Sequence, residues 1–200
     1  MKQKWKGVTL IAPVPAVMVS CGSMEKPNII TLAWTGLVNS NPPKTYISVR
    51  PERFSYNIIK ESGKFVINLT TASLVRKADF CGMRSGRDVD KFAECQLTAA
   101  PALELEDTPM IAESPIALEC RVTEIIPLGT HDMFLADIVA VDVDDSIVNE
   151  SGALRIEKAD LAAYAHGQYF ALGKKLGSFG FSVKKKSRKN LPDKNKKDRR

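Results

Sequence analysis

The densest group of residues able to do chemistry lies between Pro27 and Glu61, in PNIITLAWTGLVNSNPPKTYISVRPERFSYNIIKE. Ser48, Arg50, Arg53 and Ser55 follow one another there across the end of a strand, a Pro turn and a helix start. Alternation along Thr45–Arg50 puts Tyr46, Ser48 and Arg50 on one face and Thr45, Ile47 and Val49 on the other. Pro51 ends the strand because it has no N–H for the ladder. Ser55 stands where an N-cap would open a helix over Tyr56–Ser62. Two guanidinium groups and the free amides of a helix start suit an anion, above all a phosphate dianion. The chain's own alternative partners for the two Arg are Glu52 and Glu61, in a structural salt bridge.

Other chemistries are poorly supplied. The two histidines, His131 and His166, have no ligand-spaced partner, so the sequence predicts no metal centre. Cys21, Cys81, Cys95 and Cys120 form no C-x-x-C pair and read as reduced, packed thiols of a cytoplasmic protein. A nucleophile elbow, a P-loop and a G-x-G-x-x-G turn are all missing. What remains is a phosphate-type cluster, several aromatics and one His on a turn, which an aromatic, phosphate-bearing cofactor would satisfy.

The elements that must position these groups are mostly short β-type runs punctuated by Pro and Gly, so the fold expected is mainly β, with few short helices. Strands are expected over Ala16–Gly22, Asn28–Trp34, Thr45–Arg50, Lys64–Leu69, Ser114–Ile126 and His131–Val143, and a short one near Ala153–Ile156. Gly36–Lys44 reads as a stiff polar loop. Helical character is expected over Leu74–Met83. The following loop carries Arg84 and Arg87, which either close over an anionic ligand or pair with Asp88 and Asp90. In Ser114–Ile126, Ile116, Leu118, Cys120 and Val122 share one face and Glu119, Arg121 and Thr123 the other. His131–Val143 is apolar on both faces for much of its length, and a second subunit is its simplest outer cover.

The formal net charge of +6 divides unevenly. Residues 184–200 hold ten Lys/Arg against two Asp, which leaves 1–183 mildly acidic. One domain over 1–183 with a disordered basic tail over 184–200 is therefore expected. The tail is either a solvated extension or an electrostatic arm, and nucleic acid would be reached only through it. The N-terminal run MKQKWKGVTLIAPVPAVMVSC mimics a signal peptide, but Pro13 and Pro15 interrupt its apolar core. No stretch has the 18 apolar residues of a membrane span.

The pattern PNIITLAWTGLVNSNPPKTYISVRPERFSYNIIKESGKFVINLT resembles the flavin reductase-like family with an FMN-binding split barrel, its flavoredoxin and ferric-reductase-like subgroup in particular. LGTHDMFLADIVAVDVD is similar to that family's Gly-Asp-His turn and next strand, and GQYFALGKKLGSFG to the subgroup's C-terminal segment. The resemblance covers about residues 10–182. It implies a Greek-key split β-barrel and a homodimer with FMN in a groove at the subunit interface. It implies that Asn28, Thr31, Trp34 and Thr35 line the flavin ring or ribityl chain. Ser48, Arg50, Arg53 and Ser55 would reach the phosphate, with Lys91 closing from its loop. Tyr164 would complete the ring pocket, and His131 would stand at the reactive face where nicotinamide binds. The activity implied is an NAD(P)H-dependent flavin or ferric reductase passing electrons to flavin, ferric chelate or a redox partner protein. A non-enzymatic flavoredoxin-type carrier is the alternative, and a tail-borne nucleic-acid module a second. On residue type alone Trp34 is equally a core aromatic, and Thr31 and Thr35 are equally plain strand residues. Thr130 stands where many relatives carry Asp, which leaves Asp132 as a substitute carboxylate for His131.

Overall fold

The computed structural model describes residues 1–183, so the expected basic tail lies outside the described residues. In chain order the strands and helices are β1 (Val17–Gly22), β2 (Pro27–Leu32), β3 (Thr35–Ser40), β4 (Pro43–Val49), α1 (Phe54–Ser62), β5 (Lys64–Leu69), α2 (Val75–Met83) and α3 (Lys91–Glu94). They continue as β6 (Ala99–Pro101), β7 (Pro109–Ile111), β8 (Ile116–Pro127), β9 (Asp132–Val143), β10 (Ala162–Ala165) and β11 (Gln168–Ala171). Seven strands form one antiparallel sheet in the order β2-β1-β5-β8-β9-β4-β3.

That sheet curls on itself as a barrel. Ile30 of β2 and Ile47 and Val49 of β4 come from distant places in the strand order, yet they share one cluster with Val19, Phe65, Cys120 and Phe134. Tyr56 and Ile59 of α1 close one end of that cluster, Tyr56 lying edge-on to Phe134. On the opposite face of β1 and β2, Met18 and Ile29 pack under α2 and α3 against Leu74, Ala78, Cys81 and Phe92. The alternation of β4 is as expected, with Thr45, Ile47 and Val49 buried. The mainly β barrel with few short helices is thus observed.

Three local expectations are corrected. The stretch expected as a loop, Gly36–Lys44, is largely strand: β3 runs to Ser40 and β4 starts at Pro43. β3 is the sheet's edge, so Asn39 and Ser40 are solvated on the open side and Pro43 stands at a strand's first residue, where its missing N–H costs little. Thr35 Oγ1 donates to Tyr46 O at 2.7 Å and Thr45 Oγ1 to Gly36 O at 2.9 Å, which ties β3 to β4. Second, the N-cap of α1 is Arg53, in extended conformation at φ −68°, ψ 134°; Ser55 is a buried first-turn residue instead. Third, Ala153–Ile156 supplies only a bridge from Leu154 to Val148.

Glu119 shares a strand face with Arg121 and Thr123 but not their exposure; it is 0% exposed. Its carboxylate accepts from the backbone N–H of Glu104 at 2.9 Å and of Leu105 at 2.6 Å. A strand residue thereby anchors the 102–108 loop, and the two amides replace the water the carboxylate gave up.

Candidate functional site

Lys91 shows best how the site is built. Asp90 caps α3 by accepting from the N–H of Phe92 at 3.0 Å and Ala93 at 3.1 Å, which sets the first residue of that helix against β2. The Lys91 side chain is only 4% exposed. Its ammonium donates to Ile29 O at 2.6 Å and to Cys81 O at 2.8 Å. An ammonium has three N–H groups, so one is left without a protein acceptor. Burial lowers the Lys91 pKa and Arg53 adds to that, while the nearby Cys81 and Cys21 thiols oppose it. A buried ammonium without a carboxylate is costly unless an anion joins it.

The cavity beside Lys91, of about 170 Å³, is lined by Glu52, Arg53, Phe54, Ser55, Cys81 and the segment Arg84–Arg87. Among the described residues the two ion pairs are Lys44–Asp137 and Arg155–Glu157. Neither Glu52 nor Glu61 neutralises Arg50 or Arg53, so the internal salt-bridge alternative is not what the fold uses. Arg53 instead donates from Nη1 to Gly82 O at 3.3 Å. Asn28 donates from Nδ2 to Ser55 Oγ at 2.7 Å and fixes that hydroxyl at the start of α1. The result is a pocket of cationic groups and helix-start amides, suited to a phosphate.

A second cavity, of about 330 Å³, lies on the other side of the last turn of α2. Thr31, Ala33, Trp34, Ser48, Gly82, His131, Tyr164 and Tyr169 line it. Thr31 Oγ1 donates to Ala78 O at 2.5 Å, so its hydroxyl holds α2 to β2. Trp34 is 44% exposed, which removes it from the core, and its ring faces His131 at 4.5 Å between centroids. Tyr164 exchanges backbone hydrogen bonds with Val14, at 2.7 and 2.9 Å, and packs edge-on to Tyr169. Tyr169 O–H donates to Asp79 Oδ1 at 3.2 Å; burial and Asp79 push its pKa up to about 12. Adjoining space of about 840 Å³ runs from Thr35, Tyr46, Ser48 and Tyr164 to the N-terminal segment Val8–Ala12.

His131 follows the turn between β8 and β9. Its Nδ1 lies 3.0 Å from Thr130 Oγ1. Asp132 is not its partner, because Tyr56 O–H holds that carboxylate at 2.5 Å. Partial burial lowers the His131 pKa, Arg50 and Arg53 lower it further, and Glu52 partly offsets them. The neutral imidazole is thereby favoured over the imidazolium.

The structure brings Asn28, Arg53, Ser55 and Lys91 to the anion cavity or its wall, and Thr31, Trp34, Ser48, Tyr164 and His131 to the second one. Thr35 lines the adjoining space. Ser48 and Arg50 stand outside the anion cavity: Ser48 on β4 lines the second one, and Arg50, just past the end of β4, acts on His131 through its charge. Residues that sequence reasoning missed are Gly82, Ser85, Gly86, Tyr169 and Asp79. Gly86 had a signal, since Arg-Ser-Gly-Arg is a basic loop with a conformationally free centre. Asp79 and Tyr169 are 90 positions apart and had none.

Among the described residues no three His, Cys, Asp or Glu are grouped to hold a metal ion, and no helix is long and apolar enough to cross a membrane. The four cysteines are free and buried.

The family model for a flavin reductase-like domain matches residues 11–173. A solved structure, the flavoredoxin of Desulfovibrio vulgaris (Miyazaki F), is 33% identical with a TM-score of 0.84, over 92% of this chain and 100% of that one. An uncharacterised protein of Aeropyrum pernix is 33% identical over 68% of this chain, and the match spans only 52% of that protein's length. The NADPH-flavin oxidoreductase of Streptomyces viridifaciens is 24% identical over 74% of this chain and 77% of its own. With the barrel, the cationic cavity and the aromatic cavity in one arrangement, the chain belongs to the flavin reductase-like family.

Proposed function

We propose that this protein binds FMN and works as an NAD(P)H-dependent reductase, passing electrons to free flavin, a ferric chelate or a redox partner protein. One observation carries the reading: a buried, carboxylate-free Lys91 with Arg53 on one side of the α2 end, and an aromatic-lined cavity on the other. A phosphate tethered to a flat ring needs those two environments side by side. Arg53, Ser55 and Lys91 would hold the phosphate, with Asn28 fixing Ser55. Thr31, Trp34, Thr35, Ser48 and Tyr164 would flank the ring and its chain. Bound flavin would supply the hydride acceptor. The protein orients it, and the neutral His131 with Trp34 shapes the face that nicotinamide approaches.

The reading includes a homodimer in the cytoplasm. Leu37, Val38, Val139 and Val141 stay exposed along β3 and β9 and line a groove of about 810 Å³. A second copy laid there would cover the edge strand as well as the apolar strip. Sedimentation of the purified protein tests this, and a monomer at micromolar concentration would remove it.

The decisive experiment is the visible spectrum of the purified protein followed by rapid mixing with NADH and NADPH. Flavin absorption that bleaches on mixing supports the reductase. The likeness to a flavoredoxin favours a second reading, an electron carrier, in which flavin is bound but millimolar nicotinamide does not reduce it. Removing 184–200 separates off nucleic-acid binding by the tail, which should vanish while flavin retention persists.

A further inference from the structure

The sulfurs of Cys81, in the wall of the anion cavity, and Cys95, behind it, lie 3.8 Å apart, and neither has a role in the reading above. Cys81 is in the last turn of α2 and Cys95 ends α3, so the pair closes the segment that carries Arg84, Arg87 and Lys91. Cys81 lines the cavity directly, and its carbonyl accepts one of the Lys91 hydrogen bonds. A disulfide requires sulfurs at about 2.05 Å. The approach needed is small, and α3, at four residues, is short enough to follow. The other two thiols have no such neighbour. Cys21 is 3.8 Å from the Asn28 amide, and Cys120 donates to Leu118 O within its own strand.

We propose that Cys81 and Cys95 are a modification site: a peroxide entering the anion cavity converts them to a reversible disulfide that weakens flavin binding. Cys81 Sγ attacks one peroxide oxygen and the O–O bond breaks, giving a sulfenic acid and one water. Cys95 Sγ then attacks the Cys81 sulfur. The S–S bond forms, the S–OH bond breaks, and the two thiol protons leave in the two waters. Two thiols lose two electrons in all, and the peroxide takes them up. Burial, and then the neighbouring Cys95, push the Cys81 thiol up to about 12 while Lys91 opposes the shift. The attacking thiolate is therefore scarce at neutral pH, and the oxidation is slow there and faster as pH rises. Drawing the sulfurs together shifts the Cys81 carbonyl, and with it the ammonium that the anion meets. The effect on flavin rests on the function proposed above; the cross-link does not.

The test uses the full-length protein, reduced, freed of reductant and treated with equimolar hydrogen peroxide. Intact mass should fall by two hydrogens and recover with a reductant. Non-reducing peptide mapping of the wild-type protein should join Cys81 to Cys95, and the link should be lost in Cys95→Ser but kept in Cys21→Ser. The cross-linked protein should bind FMN ~10-fold more weakly than the reduced form. FMN present during treatment should slow the reaction by filling the cavity. No link, or one through Cys21 or Cys120, overturns the assignment, and unchanged FMN affinity after full cross-linking overturns its effect. If the reduced protein binds no FMN at all, the proposed function fails while the mass and mapping results stand by themselves.

Discussion

Trp34 and His131 face each other with ring centroids 4.5 Å apart and planes tilted by 39°, across the mouth of the aromatic cavity. Trp34 comes from the break between β2 and β3, and His131 from the turn before β9. β4 lies between them in the sheet, and Ser48 N–H donates to Trp34 O at 2.9 Å. Replacing His131 by Ala should slow flavin reduction by NAD(P)H about tenfold, roughly 1.4 kcal/mol in barrier, with little change in FMN affinity. Rapid-mixing kinetics beside a binding titration measure the two effects. The opposite ranking would move His131 from the reacting face to cofactor support.

The protonation of His131 gives a separate check. Partial burial disfavours the imidazolium, and the charges of Arg50 and Arg53 add to that, so its pKa lies below the ordinary histidine value. Thr130→Asp sets a carboxylate against Nδ1 and should raise that pKa, while Arg50→Ala should raise it by removing a repelling charge. An imidazole proton titration by NMR reads both. If neither substitution moves it, burial alone accounts for the shift.

At the other end of the site, Arg53→Ala should weaken FMN binding by about 1.5–3 kcal/mol, the scale of one charge-assisted hydrogen bond. Arg53 is exposed, and among the described residues the one hydrogen bond of its side chain is the 3.3 Å bond to Gly82 O, so thermal stability should barely change. Calorimetric titration with FMN and a melting curve make the comparison. Unchanged affinity would remove the phosphate assignment.

Part of this site is legible in the sequence. The strands around the site were readable because alternation in Thr45–Arg50 and β-branched runs such as Lys64–Leu69 report burial locally. The pairing of Arg53 with a helix start was readable for the same reason, as it spans a few residues. What could not be read depends on tertiary placement. β3 looked like a loop because an edge strand tolerates the Asn, Ser and Pro that usually mark loops. Ser55 reaches the anion cavity as a first-turn residue of α1 and not as its N-cap. Ser48 and Arg50, which seemed to meet the same anion, are not among the residues lining that cavity. The burial of Glu119 was not legible, because nothing in its own strand reveals that the amides of Glu104 and Leu105 come to meet it.

Gly86, in the wall of the anion cavity, leaves no room for a side chain. A Cβ there would lie 2.2 Å from Asn28 Oδ1 and 2.7 Å from Phe54 Cδ1. Asn28 cannot swing aside without breaking its bond to Ser55. Gly86→Ala should therefore cost roughly 1–3 kcal/mol of stability, the usual range for overpacking, and should weaken FMN binding as well. Adding Asn28→Ala should return part of the stability but not the affinity, because Ser55 would lose its partner. Urea unfolding of the single and double variants tests the steric claim. Equal stability of Gly86→Ala and wild type would refute it.

A pH-dependent contribution to stability lies away from the two cavities. Asp142 on β9 is pushed up to about 6, chiefly by burial and then by the charge of Glu119. Its Oδ2 is buried without a partner while ionised, and protonation lets it donate toward Glu119. The folded-state pKa is above the unfolded value of about 3.8, so the folded protein binds the extra proton between those values. This contribution to stability is therefore fully present below the unfolded pKa and is lost as pH rises through 6. Asp142→Asn keeps a neutral donor at every pH. It should stabilise the protein on the order of 1 kcal/mol at pH 7.5, allowing for the partial exposure of the site, and have little effect near pH 4. Denaturant midpoints of the two proteins from pH 4.5 to 8 measure the difference. A gap that does not widen with rising pH would mean that Asp142 titrates as an ordinary surface carboxylate.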